Sequence, residues 1–155
     1  MEAAVALFAL PLLLAFGMMF DGNSDDDTDD TSEPSTEPSE GDDSITGTDG
    51  PDMISALEGD DTVSGAAGDD TLSGDEGADS IDGDSGADQI YGGTGNDTIQ
   101  ADWGNDQDYG GRGTDVIDGY SGSDTLSGDG GDDSIFGGKG SDSLMGGDGA
   151  DSLKG

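Results

Sequence analysis

Residues 92–100 read GGTGNDTIQ, and this nine-residue pattern recurs thirteen times between residues 38 and 154 without an insertion or deletion. Gly occupies the fourth place of every copy, and Asp occupies the sixth. The eighth place is apolar in twelve copies and is Asp108 in the other. A short fixed period of this kind is typical of a solenoid, in which each repeat packs against its neighbours.

Each copy divides into a turn and a short strand. The first six places, rich in Gly and Asp, predict a tight turn, and the last three alternate polar, apolar and polar as a strand with one inward side chain does. Two strands and two turns would close a coil of 18 residues, which places residue n beside residue n+18, about 4.8 Å away. The sequence therefore predicts an all-β fold, a parallel two-sheet β-solenoid with 18 residues per coil.

The coil brings the aspartates of alternate copies together. Asp79 is expected beside Asp97, and Asp88 beside Asp106. Carboxylates this close repel each other unless a cation lies between them, and calcium suits the site better than magnesium because it accepts about 6 to 8 oxygens in flexible geometry. The predicted metal ligands are the thirteen sixth-place aspartates: Asp43, Asp52, Asp61, Asp70, Asp79, Asp88, Asp97, Asp106, Asp115, Asp124, Asp133, Asp142 and Asp151.

The charge of the repeats matches this prediction. Thirteen copies give up to about eleven calcium sites, because the last two copies have no copy two places further on. The repeats contain 29 acidic and three basic residues, a charge of −26, of which eleven divalent cations would neutralise 22. Twelve inward aliphatic side chains are a small core for 117 residues, so we expect the repeats to be largely unfolded without calcium and to fold on binding it.

Composition excludes several classes of function. A formal charge of −35 repels phosphate groups, so nucleic acid is not an expected partner. The chain has no Cys and no His, which leaves oxygen ligands for a hard cation. It also has no arrangement of nucleophile and base outside the repeated aspartates, so we do not expect an enzyme. Disorder is the alternative for an acidic chain, but it does not account for three positions held in phase.

Two different segments precede the repeats. Residues 3–20 read AAVALFALPLLLAFGMMF, eighteen uncharged residues, which is near the lower limit for a membrane-spanning helix. An uncleaved membrane anchor, a cleaved signal peptide and a buried helix remain open, and Glu2 is the wrong charge for the start of a signal peptide. Residues 21–37 are acidic and lack large apolar side chains. We thus expect an apolar N-terminal helix over 1–20, a disordered acidic linker over 21–37 and a repeat domain over 38–155.

The repeated phrase GGxGxDxUx resembles the RTX, or hemolysin-type calcium-binding, repeats of bacteria. This resemblance implies a right-handed parallel β-roll whose turns bind calcium through the sixth-place aspartate and the backbone carbonyls of places one to four. Family members are mostly secreted, so we expect a protein that is secreted or displayed on the bacterial surface, and the residues themselves predict that it is non-enzymatic. The alternatives are a calcium-binding accessory module, or a fragment of a larger secreted enzyme, toxin or adhesin. Many family members carry a C-terminal export signal after the repeats, whereas this sequence stops at Gly155.

Some positions depart from the pattern. Asp108 would place a carboxylate between two aliphatic side chains, and we expect a local bulge to turn it outward. Tyr91 and Tyr109, eighteen residues apart, are expected to stack on the outer face. Ala56 and Ala101 replace Gly at the first place, and we expect them to weaken their turns because Ala resists positive φ.

Overall fold

The structure is a computed structural model that describes residues 38–155. The predictions made for the apolar segment 3–20 and the acidic linker 21–37 concern residues outside this range. Within residues 38–155 there is no helix long and apolar enough to cross a membrane.

The described residues form parallel sheets whose strands come from alternate copies. A seven-stranded sheet contains, in spatial order, β1 (Ser44–Thr46), β3 (Thr62–Ser64), β5 (Ser80–Asp82), β7 (Thr98–Gln100), β9 (Val116–Asp118), β12 (Ser134–Phe136) and β15 (Ser152–Lys154). A six-stranded sheet contains β2 (Met53–Ser55), β4 (Thr71–Glu76), β6 (Gln89–Thr94), β8 (Gln107–Arg112), β11 (Thr125–Gly130) and β14 (Ser143–Asp148). A short pair joins β10 (Ser121–Gly122) to β13 (Lys139–Gly140).

The register confirms the predicted coil. Ile81 pairs with Ile99 in the first sheet, and Leu72 pairs with Ile90 in the second. Each pair is separated by 18 residues. The fold is therefore the expected all-β, parallel, two-sheet solenoid, with about six coils.

The strands of the six-stranded sheet are longer than the sequence indicates. All five strands that follow β2 in this sheet have six residues and continue through the first three places of the next copy: β4, β6, β8, β11 and β14. These extra residues pair in the same register, as Glu76 does with Thr94. The assignment of the first six places to a turn was thus wrong on this side, because the 18-residue register holds beyond the ninth place.

The core is a column of eighth-place side chains between the two sheets. Its fully enclosed members have neighbours on the preceding and following coils, and Ile54 and Leu144 pack against it while partly exposed. Leu153, in the last coil, is 44% exposed. The buried eighth-place aliphatics are Ile45, Val63, Leu72, Ile81, Ile90, Ile99, Ile117, Leu126 and Ile135.

Asp108 points into this column, and the predicted bulge is wrong. The residue pairs in regular register with Ile90 on one side and with Leu126 on the other. It is fully buried, and neither carboxylate oxygen has a hydrogen-bond partner. Continuous pairing with both neighbouring strands fixes the alternation of side chains along β8, so the carboxyl group cannot turn outward without breaking two ladders.

The stack of Tyr91 and Tyr109 is confirmed. The two ring centroids are 5.2 Å apart, and the ring planes differ by 10°. The rings lie at the ninth place of consecutive coils, in the paired strands β6 and β8. This is the offset expected for aromatic side chains that follow the register of a parallel sheet.

The first place of the repeat does not require positive φ, contrary to the prediction for the two alanines. Ala56 and Ala101 are fully buried and have negative φ. Positive φ falls instead at the second place and at most fourth places, as at Gly113 with φ 145°. A Cβ on Gly113 would also overlap the carbonyl oxygen of Gly95 on the preceding coil. Glycine at the first place therefore provides space, whereas glycine at the fourth provides both space and φ.

Candidate metal centre

The sixth-place aspartates form two ladders, one on each side of the roll. In each pair, the backbone N–H of one aspartate donates to Oδ1 of the aspartate 18 residues later, as from Asp79 to Asp97 and from Asp88 to Asp106, both at 2.9 Å. The same bond recurs in all eleven pairs. One ladder contains Asp43, Asp61, Asp79, Asp97, Asp115, Asp133 and Asp151, and the other contains Asp52, Asp70, Asp88, Asp106, Asp124 and Asp142.

The residues at the ends of the ladders differ from those in the middle. Asp43 and Asp52 accept hydrogen bonds from the backbone N–H groups of Ser39 and Thr48 in their own turns. Asp142 and Asp151 in the last coils are only half-buried. The structure thus places all thirteen predicted residues in the ladders and encloses those in the middle most completely.

The second oxygen of the enclosed aspartates has no partner. Oδ1 is used by the ladder, but Oδ2 is buried without a hydrogen bond. Buried polar atoms in proteins are nearly always paired, and an unpaired one carries the full penalty of its desolvation. A row of unpaired buried oxygens is therefore suited to hold a ligand such as a cation. The nine residues with this orphaned Oδ2 are Asp61, Asp70, Asp79, Asp88, Asp97, Asp106, Asp115, Asp124 and Asp133.

A small cradle lies beside the seven of these oxygens whose copy begins with Gly. At Gly65, the point that a Cβ atom would occupy lies 2.6 Å from Oδ2 of Asp70 and 3.0 Å from the carbonyl oxygen of Gly83, one coil further on. At all ten first-place glycines this point lies within 2.8 Å of the aspartate Oδ2 of the same copy. A carboxylate oxygen and a backbone carbonyl oxygen thus face one space. Carboxylate and carbonyl oxygens are the hard ligands that calcium prefers.

Burial raises the pKa of the ladder carboxylates. The pKa values of Asp79, Asp88, Asp97 and Asp106 are each raised to about 6, first by desolvation and then by the charges of neighbouring aspartates, although the backbone N–H bond opposes the shift. A cation between the carboxylates would remove both causes, because it replaces the lost solvation and offsets the repulsion. The pKa is also raised at Asp61, Asp70, Asp115, Asp124 and Asp133, with desolvation as the largest cause.

The sequence did not predict a further acidic cluster. Asp82, Asp84 and Asp102 each offer a carboxylate oxygen within 4.8 Å of the others. They occupy the ninth and second places of the repeat, and the 18-residue register that pairs Asp84 with Asp102 is the signal by which they could have been found. All three are half-buried, and none has a buried oxygen without a partner. The ladders are therefore the stronger candidate.

A parallel roll whose turns repeat a buried carboxylate defines a class of repeat protein suited to bind cations. The family model described as RTX calcium-binding nonapeptide repeat (4 copies) matches residues 39–72, 73–108, 82–117, 109–144 and 118–153. Together these matches span residues 39–153, about three quarters of the sequence. The chain belongs to the family of RTX calcium-binding nonapeptide repeats. No curated protein matched the chain.

Proposed function

We propose that this protein binds calcium along both aspartate ladders and that its roll folds as calcium binds. The observation that carries the proposal is the row of nine buried Oδ2 atoms without partners. In this proposal the sixth-place aspartates of alternate copies hold each ion together with backbone carbonyl oxygens of the turns. Up to about eleven ions would bind, one for each pair of aspartates joined by the ladder.

Calcium supplies the positive charge that the chain itself lacks. The repeats contain only Arg112, Lys139 and Lys154 as basic residues, and Lys139 lies over the ring of Tyr120. Without a cation, closing the coil brings buried carboxylates together, which opposes folding at neutral pH. Binding and folding are therefore coupled, because the ligands of one site come from two different coils.

The proposed context is outside the cell. We place the protein on the bacterial surface or in the extracellular medium, with residues 3–20 as its attachment or export segment and residues 21–37 as a tether. The function is the binding of calcium itself, without catalysis and without nucleic acid as a partner. Membership of a calcium-binding repeat family supports the calcium assignment, and the negative charge of the chain supports the exclusion of nucleic acid.

The second candidate is an accessory module or fragment of a larger secreted enzyme, toxin or adhesin. It is favoured by the composition of the described residues, which consist of repeats from residue 38 to residue 154. A catalytic or pore-forming domain in the same reading frame would support this candidate. The calcium ladders would have the same role in either protein.

A calcium titration of the full chain followed by far-ultraviolet circular dichroism tests the proposal. We expect little strand signal in chelator, a cooperative rise with added calcium, and a much smaller response to magnesium at the same concentration. A complete strand signal in chelator would contradict coupled folding. An equal response to magnesium would contradict the choice of ion.

A further inference from the structure

The first place of the repeat decides how much room each cradle has. Ten of the thirteen copies have Gly there, and the exceptions are Pro38, Ala56 and Ala101. At seven of the ten glycines, the point of an added Cβ lies within 3.0 Å of the carbonyl oxygen of the first-place residue one coil further on. The same point lies within 2.8 Å of the aspartate Oδ2. It is therefore close to both oxygens that face the cradle.

Ala56 and Ala101 have a methyl group in this position. By the repeat register, the methyl of Ala56 belongs to the cradle of Asp61, and that of Ala101 belongs to the cradle of Asp106. Both alanines are fully buried, and Oδ2 of both aspartates is buried without a partner. The register thus places each methyl group beside a buried carboxylate oxygen that has no hydrogen-bond partner.

A methyl group at the first place competes for space with the two oxygens that would hold calcium. Calcium must approach each oxygen to about 2.3 to 2.6 Å, and the Cβ point at Gly65 is 2.6 Å from one oxygen and 3.0 Å from the other. Carbon–oxygen contacts normally exceed about 3.3 Å, so a methyl group there displaces one of the two oxygens. An ion in such a cradle loses a ligand or binds at longer distances.

We propose that Ala56 and Ala101 lower the calcium affinity of the cradles of Asp61 and Asp106, so that the ladders contain two classes of site. This inference rests on the proposed function, in which the ladders bind calcium. Asp61 is in one ladder and Asp106 is in the other, so each side of the roll has one site of lowered calcium affinity. Of the eleven aspartate pairs, eight have Gly at the first place of the earlier copy, two have Ala and one has Pro38.

The two alanines have an alternative role as packing groups, since Ala56 contacts the hydrophobic core. That role makes a different prediction. If the methyl groups only fill space, then their removal lowers stability and leaves the number and affinity of bound ions unchanged. If they restrict the cradles, then their removal adds tight sites.

The test is a count of tightly bound calcium on the full chain by equilibrium dialysis, with affinities from calorimetry. The variants are Ala56→Gly, Ala101→Gly, their combination, and Gly65→Ala, which places a methyl group in a glycine cradle. Ala87→Gly is the matched control, because Ala87 is exposed at the fifth place and lies outside the cradles. Circular dichroism at saturating calcium verifies that each variant folds.

We expect the combined variant to bind two more tight ions than the wild type, Gly65→Ala to bind one fewer, and Ala87→Gly to bind the same number. If the wild type binds calcium, and the combined variant and Gly65→Ala bind the same number of ions with the same affinities as the wild type, then this inference alone is overturned. Absence of calcium binding by the wild type would overturn the proposed function as well.

Discussion

Replacement of Asp108 by Ile should stabilise the roll by an amount that depends on pH. Asp108 is fully buried between Ile90 and Leu126, and its carboxyl group has no hydrogen-bond partner. Burial, followed by the charges of Asp106, Asp124 and Asp88, raises its pKa from 3.8 to about 8. At neutral pH the folded chain therefore keeps this carboxyl group protonated, whereas the unfolded chain ionises it.

The size of the effect follows from these two pKa values. The raised pKa destabilises the fold by about 1.4 kcal/mol for each pH unit between about 4 and 8, because only the unfolded state loses its proton in that range. At pH 7, roughly three units above the unfolded pKa, the penalty is about 4 kcal/mol. Isoleucine removes it and adds about 2 kcal/mol of apolar burial. We expect a gain of about 6 kcal/mol at pH 7 and about 4 kcal/mol at pH 5.5.

Urea unfolding of wild type and Asp108→Ile in saturating calcium measures this difference, with both proteins compared at the same pH. Desolvation is the largest cause of the shift, so cations on the ladders leave most of it in place. Ile90→Val is the control, because it changes the adjacent side chain in the same sheet without a titratable group. It should cost about 1 kcal/mol at every pH. A gain for Asp108→Ile that does not vary with pH, or no gain at all, would refute the reasoning.

Three further predictions concern the ladders and turns. Asp97→Asn should reduce the number of tightly bound calcium ions, measured by equilibrium dialysis, by up to two, because Asp97 belongs to two ladder pairs. The control Asp69→Asn, at an exposed fifth place, should leave this number unchanged. Equal losses in the two variants would contradict the assignment of Asp97 as a ligand. Calcium affinity should fall as pH drops below about 6, where the ladder carboxylates regain protons. The metal-free chain should gain strand signal over the same range, because protonation relieves the burial of charge. Calorimetry with calcium and circular dichroism in chelator, each at pH 5 and 7.5, measure these two effects, and equal affinities at the two pH values would disagree with the raised pKa values. Gly113→Ala should lower the free energy of unfolding by about 3 kcal/mol or more, because of its positive φ and a backbone clash. The added Cβ of Gly130→Ala meets nothing nearer than 3.7 Å, so this variant should change the free energy of unfolding, measured in urea, by less than about 1 kcal/mol. Similar effects of the two variants would count against the clash.

The period of the sequence predicted most of the fold. A repeat of nine with one inward side chain per copy requires two copies to close a coil, and this alone gives the 18-residue register, the apolar column and the pairing of aspartates. The stack of Tyr91 and Tyr109 follows from the same arithmetic. These features depend on residue spacing, which can be read directly from one sequence.

Features that depend on the backbone of the neighbouring coils could not be predicted from the spacing. The bulge at Asp108 was inferred from the local penalty of a buried carboxyl group, but pairing with strands on both sides prevents the chain from avoiding that penalty. The strain expected at Ala56 and Ala101 assumed a backbone conformation that occurs at other places of the repeat. The sequence also did not show that Oδ1 is used by the ladder while Oδ2 remains without a partner, since this requires the position of the backbone one coil away.

The central claim is that a cation lies between aspartates of alternate copies, and diffraction at long wavelength from crystals grown with calcium tests it most directly. Calcium scatters anomalously under these conditions, so each ion is located independently of the protein. The account predicts a row of anomalous peaks along each side of the roll, each in contact with carboxylate oxygens of two aspartates 18 residues apart, such as Asp79 and Asp97. A folded roll without peaks along the ladders, or with calcium bound only at other surface carboxylates, would contradict it.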